Sequence, residues 1–256
     1  MCLIFISLND HPHYKLIVAA NRDEFYERKT LPAHFWEDHP HIVGGRDGEA
    51  SGTWMAMSKL GKISMVTNYR DPFNINPKAP SRGQLVSDFL LNGDKPADYL
   101  NQMEKTSKAY NGFNLVVGSP DELYYYSNYK KGIEKLPSGL HGLSNHLLNT
   151  PWPKVERGVE KMKSILISEE VDPAKLFDVL YDDQPAPQEK LPNTGVGQER
   201  ELVLSSMFIK SPNYGTRCST VVTVDRNNQV QYSERVYDLH TFDYATQTFH
   251  FNIPVD

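Results

Sequence analysis

Two places in this 256-residue chain hold side chains of the kind that do covalent chemistry. One is Cys2, directly behind the initiator methionine. The other is Asn21-Arg22-Asp23-Glu24, where the apolar run Leu16 to Ala20 gives way to four polar residues. Aminopeptidases commonly remove an initiator methionine when the next side chain is small, and removal would give Cys2 its own free α-amine. Such an amine has an unperturbed pKa of about 7.7–8.0, so near neutral pH a fraction of it can take the proton of its own thiol. Nucleophile and general base would then be one residue. A thiol activated by that amine or by Arg22 is expected to titrate below its free value of about 8.5. A cysteine that opens a strand also serves as a small buried apolar residue, so position alone does not assign the role.

The elements around Cys2 decide what the tetrad faces. Cys2–Leu8 and Tyr14–Ala20 are short β-type runs joined by the turn-prone Asn9-Asp10-His11-Pro12, which predicts a hairpin. The end of its second strand then lies beside the start of its first. Asn21 to Glu24 sit next to the chain start, with Asp23 placed to hold an α-amine and Arg22 to hold a carboxylate or an oxyanion.

Further strands are expected at Ile42–Gly45, Thr53–Met57, Lys62–Asn68, Phe113–Gly118 and Glu122–Ser127. Ser81-Arg82-Gly83-Gln84 has the form of a capping box opening a helix with Leu85, Val86, Phe89 and Leu90 on one face. Pro96 starts a second helix toward Tyr110. After Pro153, the apolar residues Val155, Val159, Met162 and Leu166 form a helical stripe. Another helix is expected over Pro173–Tyr181, and Pro185 to Gly197 reads as an exposed loop. Strands return at Ser219–Val224, Val230–Val236 and Thr246–Ile253, the first two turning at Asp225 to Asn228. Strand-rich ends around a helical middle, with no repeat and no linker, indicate one α+β domain over residues 1–256, its helices packed on sheets.

Composition removes several function classes. An apolar share of 39%, with 14 Tyr and 11 Phe, supports a substantial core. The formal net charge of -5 gives no footprint for nucleic acid. Cys2 and Cys218 are too few for a disulfide framework. The N-terminus lacks a basic region and a cleavage site for export, and no stretch nears the roughly 18 apolar residues of a membrane span. The expectation is a soluble, cytoplasmic protein. The paired motifs His11-Pro12-His13 and His39-Pro40-His41 come without cysteine, so no metal site is expected. Gly44-Gly45-Arg46-Asp47-Gly48 lacks the spacing and lysine of a phosphate loop and reads as a tight turn near the site, with Trp54 packed below.

The motifs, taken in order, are those of a known family. Met1-Cys2, AANRDEFYER, GGRDGEASGTW, TNYRDP, SRGQLV, YNGFNL, GLSNHLLNTPWPK and YGTRCST give the chain a nearly end-to-end resemblance to the NRDE, or transport-and-Golgi-organisation, family. That resemblance implies the N-terminal nucleophile hydrolase fold, a four-layer αββα sandwich with two largely antiparallel sheets. The chain is more distantly similar to bile-salt hydrolases and penicillin V acylases, which begin Met-Cys and carry Arg-Asn-x-Asp after the second strand. Ala20-Asn21-Arg22-Asp23 keeps the Asn and Asp but has its arginine at the x position, so the acid-substrate specificity of those enzymes is not implied. Their two asparagines and late arginine fall on Asn68, Asn145 and Arg217. The implied catalytic set is therefore Cys2, Asp23, Asn68, Asn145 and Arg217, since an asparagine amide is a suitable donor to the oxyanion formed when a thiolate attacks a carbonyl. Asn21, Arg22, Glu24, Arg46 and Tyr69 are the substrate-facing candidates.

Two function classes follow. One is an N-terminal cysteine amidohydrolase or acyltransferase acting on a small amide, ester or thioester, with no cofactor required. The other is a non-catalytic carrier of haem or another hydrophobic ligand on the same scaffold, with Cys2 a ligand contact or a vestige.

Overall fold

The computed structural model describes residues 2–254. Its first hairpin joins β1 (Cys2–Leu8) to β2 (Tyr14–Phe25), antiparallel, with Cys2 opposite Arg22 and Leu8 opposite Leu16. Side chains alternate across a strand, so Ile4, Ile6, Leu16 and Val18 point to one face and Leu3, Phe5, Ile17 and Ala19 to the other. Both faces are buried, in different cores. This explains why the hairpin reads as continuous apolar runs rather than as an alternating pattern.

The strands that follow are β3 (Thr30–Phe35), β4 (Ile42–Asp47), β5 (Met55–Ser58), β6 (Ile63–Asn68), β7 (Phe113–Ser119), β8 (Glu122–Ser127), β9 (Glu134–Lys135) and β10 (Gly139–Leu143). The chain closes with β11 (Tyr214–Asp225), β12 (Gln229–Tyr237) and β13 (Tyr244–Asn252). Among the described residues they form a six-stranded sheet, β10-β1-β2-β11-β12-β13, and a seven-stranded one, β3-β4-β5-β6-β7-β8-β9. All the pairings are antiparallel.

Helices cover the outer faces. Helices α1 (Gly83–Leu91) and α2 (Pro96–Glu104) bury Leu85, Phe89 and Leu100 against the seven-stranded sheet, beside Leu115 and Val117. Helices α3 (Pro153–Leu166) and α4 (Pro173–Leu180) bury Val155, Met162 and Phe177 against the first hairpin. A third core, with Ile4, Val18, Met65 and Val222, lies between the sheets. The result is the four-layer αββα sandwich. At Gly158 a Cβ atom would stand 2.0 Å from the ring of Phe5, so this glycine is what lets α3 settle onto β1. A buried carboxylate also ties the sheets together. The register of β3 on β4 shifts between Leu31 and His34, and the Ala33 N–H donates instead to Glu234 Oε1 of β12 at 2.6 Å.

Several boundaries differ from the sequence expectations. The tetrad lies inside β2 rather than beyond it, because β11 pairs with β2 as far as Phe25 and satisfies the backbone there. Ser81 does not cap α1: the N-cap is Arg82, with no side-chain hydrogen bond, and Gln84 reaches forward to Asp88. Helix α2 stops at Glu104, short of Tyr110. The segment after the proline-rich loop forms a short helix, α5 (Gln198–Val203).

Candidate active site

The site is built where the first hairpin meets the start of β11. Thr216 pairs with Asp23 and Cys218 with Arg22, so Arg217 is an extra residue on β11, a β-bulge opposite the tetrad. A bulge bends its strand and re-aims the side chains beside it. Thr216 Oγ1 donates to Asp23 Oδ1 at 2.7 Å. From the other sheet β6 ends at Asn68. Cys2, Arg22, Asp23, Glu24 and Asn68 thus line one narrow cleft of about 110 Å³, closed by Trp54 and by the start of α1 at Ser81 to Gly83. The floor is fixed by packing: Gly45 lets Trp54 lie against β4, where a Cβ atom would stand 2.2 Å from the indole, and the Arg22 guanidinium stacks 4.3 Å above that ring.

The charges in the cleft are already committed. Arg22 donates to Thr30 Oγ1 at 3.0 Å and lies 3.9 Å from both Glu24 and Asp47. Arg28 binds Asp47 at 2.7 Å. Burial works against ionising Glu24, yet the positive charge gathered around it, to which Arg22 and Arg28 contribute, together with the Phe25 N–H holds its pKa below the ordinary carboxylate value. Burial pushes Asp23 up, against the opposing pull of Lys154. The expectation of a lowered Cys2 thiol pKa is not met in the chain that retains Met1. Burial pushes the thiol up, Asp23 and Glu24 reinforce the rise, and Arg22, its charge shared among carboxylates, does not reverse it.

A second cavity of about 450 Å³ opens beside the cleft and shares Glu24, Asn68 and Arg82 with it. Its walls are largely apolar, with Phe25, Tyr69, Ile75, Val203, Leu204 and Tyr214 among them. Asn68 stands at the junction of the polar cleft and this apolar pouch. That volume lies within the roughly 300–1,000 Å³ of small-molecule sites.

Comparison with known proteins bears on the whole chain. The family model of Transport and Golgi organisation 2 matches residues 1–239. The chain belongs to that family. It is 36% identical to the Transport and Golgi organization protein 2 homolog of Bos taurus, over 92% of each chain. It is 34% identical to the Homo sapiens homolog, over 99% of each. Among solved structures it resembles an arginine-to-leucine variant of conjugated bile acid hydrolase from Clostridium perfringens, with TM-score 0.50 and 8% identity over 100% of this chain and 98% of that one. At that identity the likeness is one of fold, and the fold is the N-terminal nucleophile hydrolase sandwich. No helix among the described residues is long and apolar enough to cross a membrane.

In this member of the Transport and Golgi organisation 2 family, the remaining sequence candidates stand away from the cleft. Asn21 is buried, its amide donating to the Leu180 and Met207 carbonyls at 2.8 and 2.9 Å, so it ties β2 to the helical layer. Asn145 donates to the Asn68 carbonyl at 3.0 Å, and its own carbonyl accepts from the Arg70 N–H at 2.7 Å. It clamps the end of β6 on either side of Tyr69. Arg217 donates to the carbonyls of Phe25, Tyr26 and Arg28 at 2.8, 3.1 and 2.8 Å, so the bulge turns it onto the loop after β2. Arg46 pairs with Asp38 at 2.8 Å above Trp36. Tyr69 lines the pouch, stacked 3.9 Å from Tyr129.

Sequence reasoning missed Arg70, Lys154 and Tyr214. Lys154, in the first turn of α3, is fully buried, and burial lowers its pKa to about 8 against the pull of Asp23. A lysine at a helix start ordinarily faces water, so nothing in the local pattern marks it.

Proposed function

We propose that the protein is an N-terminal cysteine hydrolase or acyltransferase acting on a small amide, ester or thioester with an apolar acyl group. The observation that carries this reading is the junction of the two cavities. Cys2 lines the polar cleft, Asn68 lines both cleft and pouch, and an acyl chain seated in the pouch brings its carbonyl to that junction.

Once Met1 is removed, the Cys2 α-amine accepts the thiol proton and the sulfur attacks the carbonyl carbon. The carbonyl electron pair moves onto oxygen, where the Asn68 amide donates to it. Asp23, hydrogen-bonded by Thr216, orients the amine and offsets the ammonium charge. Collapse of the tetrahedral species breaks the bond to the leaving amine, alcohol or thiol, which departs with the proton held by the ammonium. Water then attacks the thioester by the same route and frees the acid and the thiol. Another acceptor in place of water gives acyl transfer. The buried, proton-retaining thiol fits this scheme, because a base within the same residue supplies what the surroundings withhold.

The size of the pouch also favours a carrier of haem or another hydrophobic ligand, in which Cys2 is a wall residue. Amide, ester and thioester libraries screened with the chain beginning at Cys2 and with Cys2→Ala, alongside haem and fatty-acid titrations, separate the two. Turnover that vanishes in Cys2→Ala supports the hydrolase. No turnover, with equal ligand binding by both proteins, overturns it.

A further inference from the structure

We propose, resting on the hydrolase reading, that Arg82 is a catalytic residue whose guanidinium joins the Asn68 amide in holding the oxyanion. An N-terminal cysteine with its own amine supplies nucleophile and base, but leaves the charge on the attacked carbonyl to one neutral amide. By chain order the site's arginine is Arg217, yet the bulge turns it onto the loop after β2. The start of α1 supplies another.

Ser81-Arg82-Gly83-Gln84 caps no helix, and its first three residues line the cleft instead. The Thr53 N–H donates to the Gly83 carbonyl at 3.2 Å, and a Cβ atom at Gly52 would stand 2.6 Å from the Gly83 backbone. The start of α1 is thereby pressed onto the loop before β5, which fixes where the Arg82 side chain begins. Arg82 is half-buried and lines both cavities, as Glu24 and Asn68 do. Its Nη1 donates to the Gly112 carbonyl at 3.1 Å. Among the described residues its Nε and Nη2 have no hydrogen-bond partner, and unlike those of Arg70 they are not sealed from the cavities.

The other charges that line the cavities are engaged elsewhere. In the cleft, Arg22 and Arg28 are shared between Glu24 and Asp47, and Asp23 faces Lys154 and the α-amine it orients. In the pouch, Arg70 is spent on Glu201, Asp71 accepts from Tyr129 and Asn74, and Arg200 lies exposed on α5. Arg82 alone stands at the junction with no carboxylate within 4.0 Å among the described residues. Burial lowers its pKa against the pull of Glu24 and the Cys2 thiol, yet an arginine keeps its charge. A cation partly withdrawn from water gains little from a neutral carbonyl and much from an oxyanion. That difference between ground state and transition state is what lowers a barrier.

The test uses the chain beginning at Cys2 and a decyl trifluoromethyl ketone isotopically labelled at its carbonyl carbon. The Cys2 sulfur bonds to that carbon and the thiol proton passes to the carbonyl oxygen, giving a hydroxyl whose ionisation the carbon NMR signal reports. Arg82→Ala should move the titration midpoint of that hydroxyl up by about two pH units. It should also slow kcat on p-nitrophenyl decanoate about a hundredfold with KM little changed, and added methylguanidine should restore part of the rate. Arg82→Gln keeps a donor for the Gly112 carbonyl and should show the same losses, which keeps the test decisive if Arg82→Ala does not fold. An unmoved midpoint, or a loss in KM alone, would overturn the role of Arg82 and leave the hydrolase reading standing. No adduct on Cys2 with Arg82 in place would sink that reading, and this role with it.

Discussion

Glu234 is the titrating group whose effect on stability can be worked out most directly. Its carboxylate lies between the sheets, 1% exposed, accepting from the Ala33 N–H at 2.6 Å and from the Thr220 hydroxyl at 3.4 Å. Burial raises its pKa from 4.5 to about 7, with the Ala33 N–H and Arg22 pulling the other way. The folded state therefore holds this proton more tightly than the unfolded chain does. Its contribution is fully present below about pH 4.5 and is lost as pH rises toward 7. Over that window the shift is worth about 3 kcal/mol, at about 1.4 kcal/mol per unit. Glu234→Gln cannot ionise, and its amide oxygen can still accept from Ala33. Urea denaturation followed by tryptophan fluorescence from pH 5 to pH 8 should show wild type losing stability relative to the variant by about 2–3 kcal/mol. The difference between the two profiles cancels every other group that titrates in both proteins. Parallel profiles would refute the reasoning, because they would mean that Glu234 keeps one protonation state throughout.

Other substitutions separate chemistry from framework. Asn68→Ala should slow acyl turnover by about a hundredfold or more while leaving the melting temperature nearly unchanged, as expected for an oxyanion donor. Asn145→Ala, which removes the side-chain half of the clamp on β6 and leaves the backbone bond to Arg70, should lower both, and a thermal melt beside the rate assay tells the two asparagines apart. Arg217→Ala frees three backbone carbonyls of a half-exposed loop and should cost about 1–2 kcal/mol in denaturant titration, with KM for the acyl substrate little changed. Gly158→Ala places a methyl group on the Phe5 ring and should destabilise by about 1–3 kcal/mol, partly recovered in the double variant Gly158→Ala with Phe5→Leu.

The hairpin was legible because apolar runs and a turn tetrad are local signals, and β1 and β2 follow one another in the chain. The stripe Val155, Val159, Met162 and Leu166 marked α3 for the same reason. The tetrad could be seen as unusual but not read residue by residue. Asn21 is committed to carbonyls 159 and 186 residues away, and Arg22 is spent on an indole and on carboxylates of other strands. Arg217 looked like a site arginine by its order in the chain, and the bulge that turns it aside arises only when β11 meets β2. Arg70 and Glu201 lie 131 residues apart, so no spacing announces their pair. The missed α5 is six residues long, too short for a periodicity to show.

The central claim is that Cys2 attacks acyl carbonyls with its own α-amine as base. The most direct measurement adds p-nitrophenyl decanoate to the chain beginning at Cys2, to the chain retaining Met1 and to Cys2→Ala, and follows each by rapid-quench peptide mass spectrometry. The account predicts a transient acyl adduct on Cys2 in the first protein alone, with nitrophenol released in a burst and then at a steady rate. Adducts appearing equally on Cys2 in the chain retaining Met1, or on Cys218, or none on Cys2 at all, would contradict it.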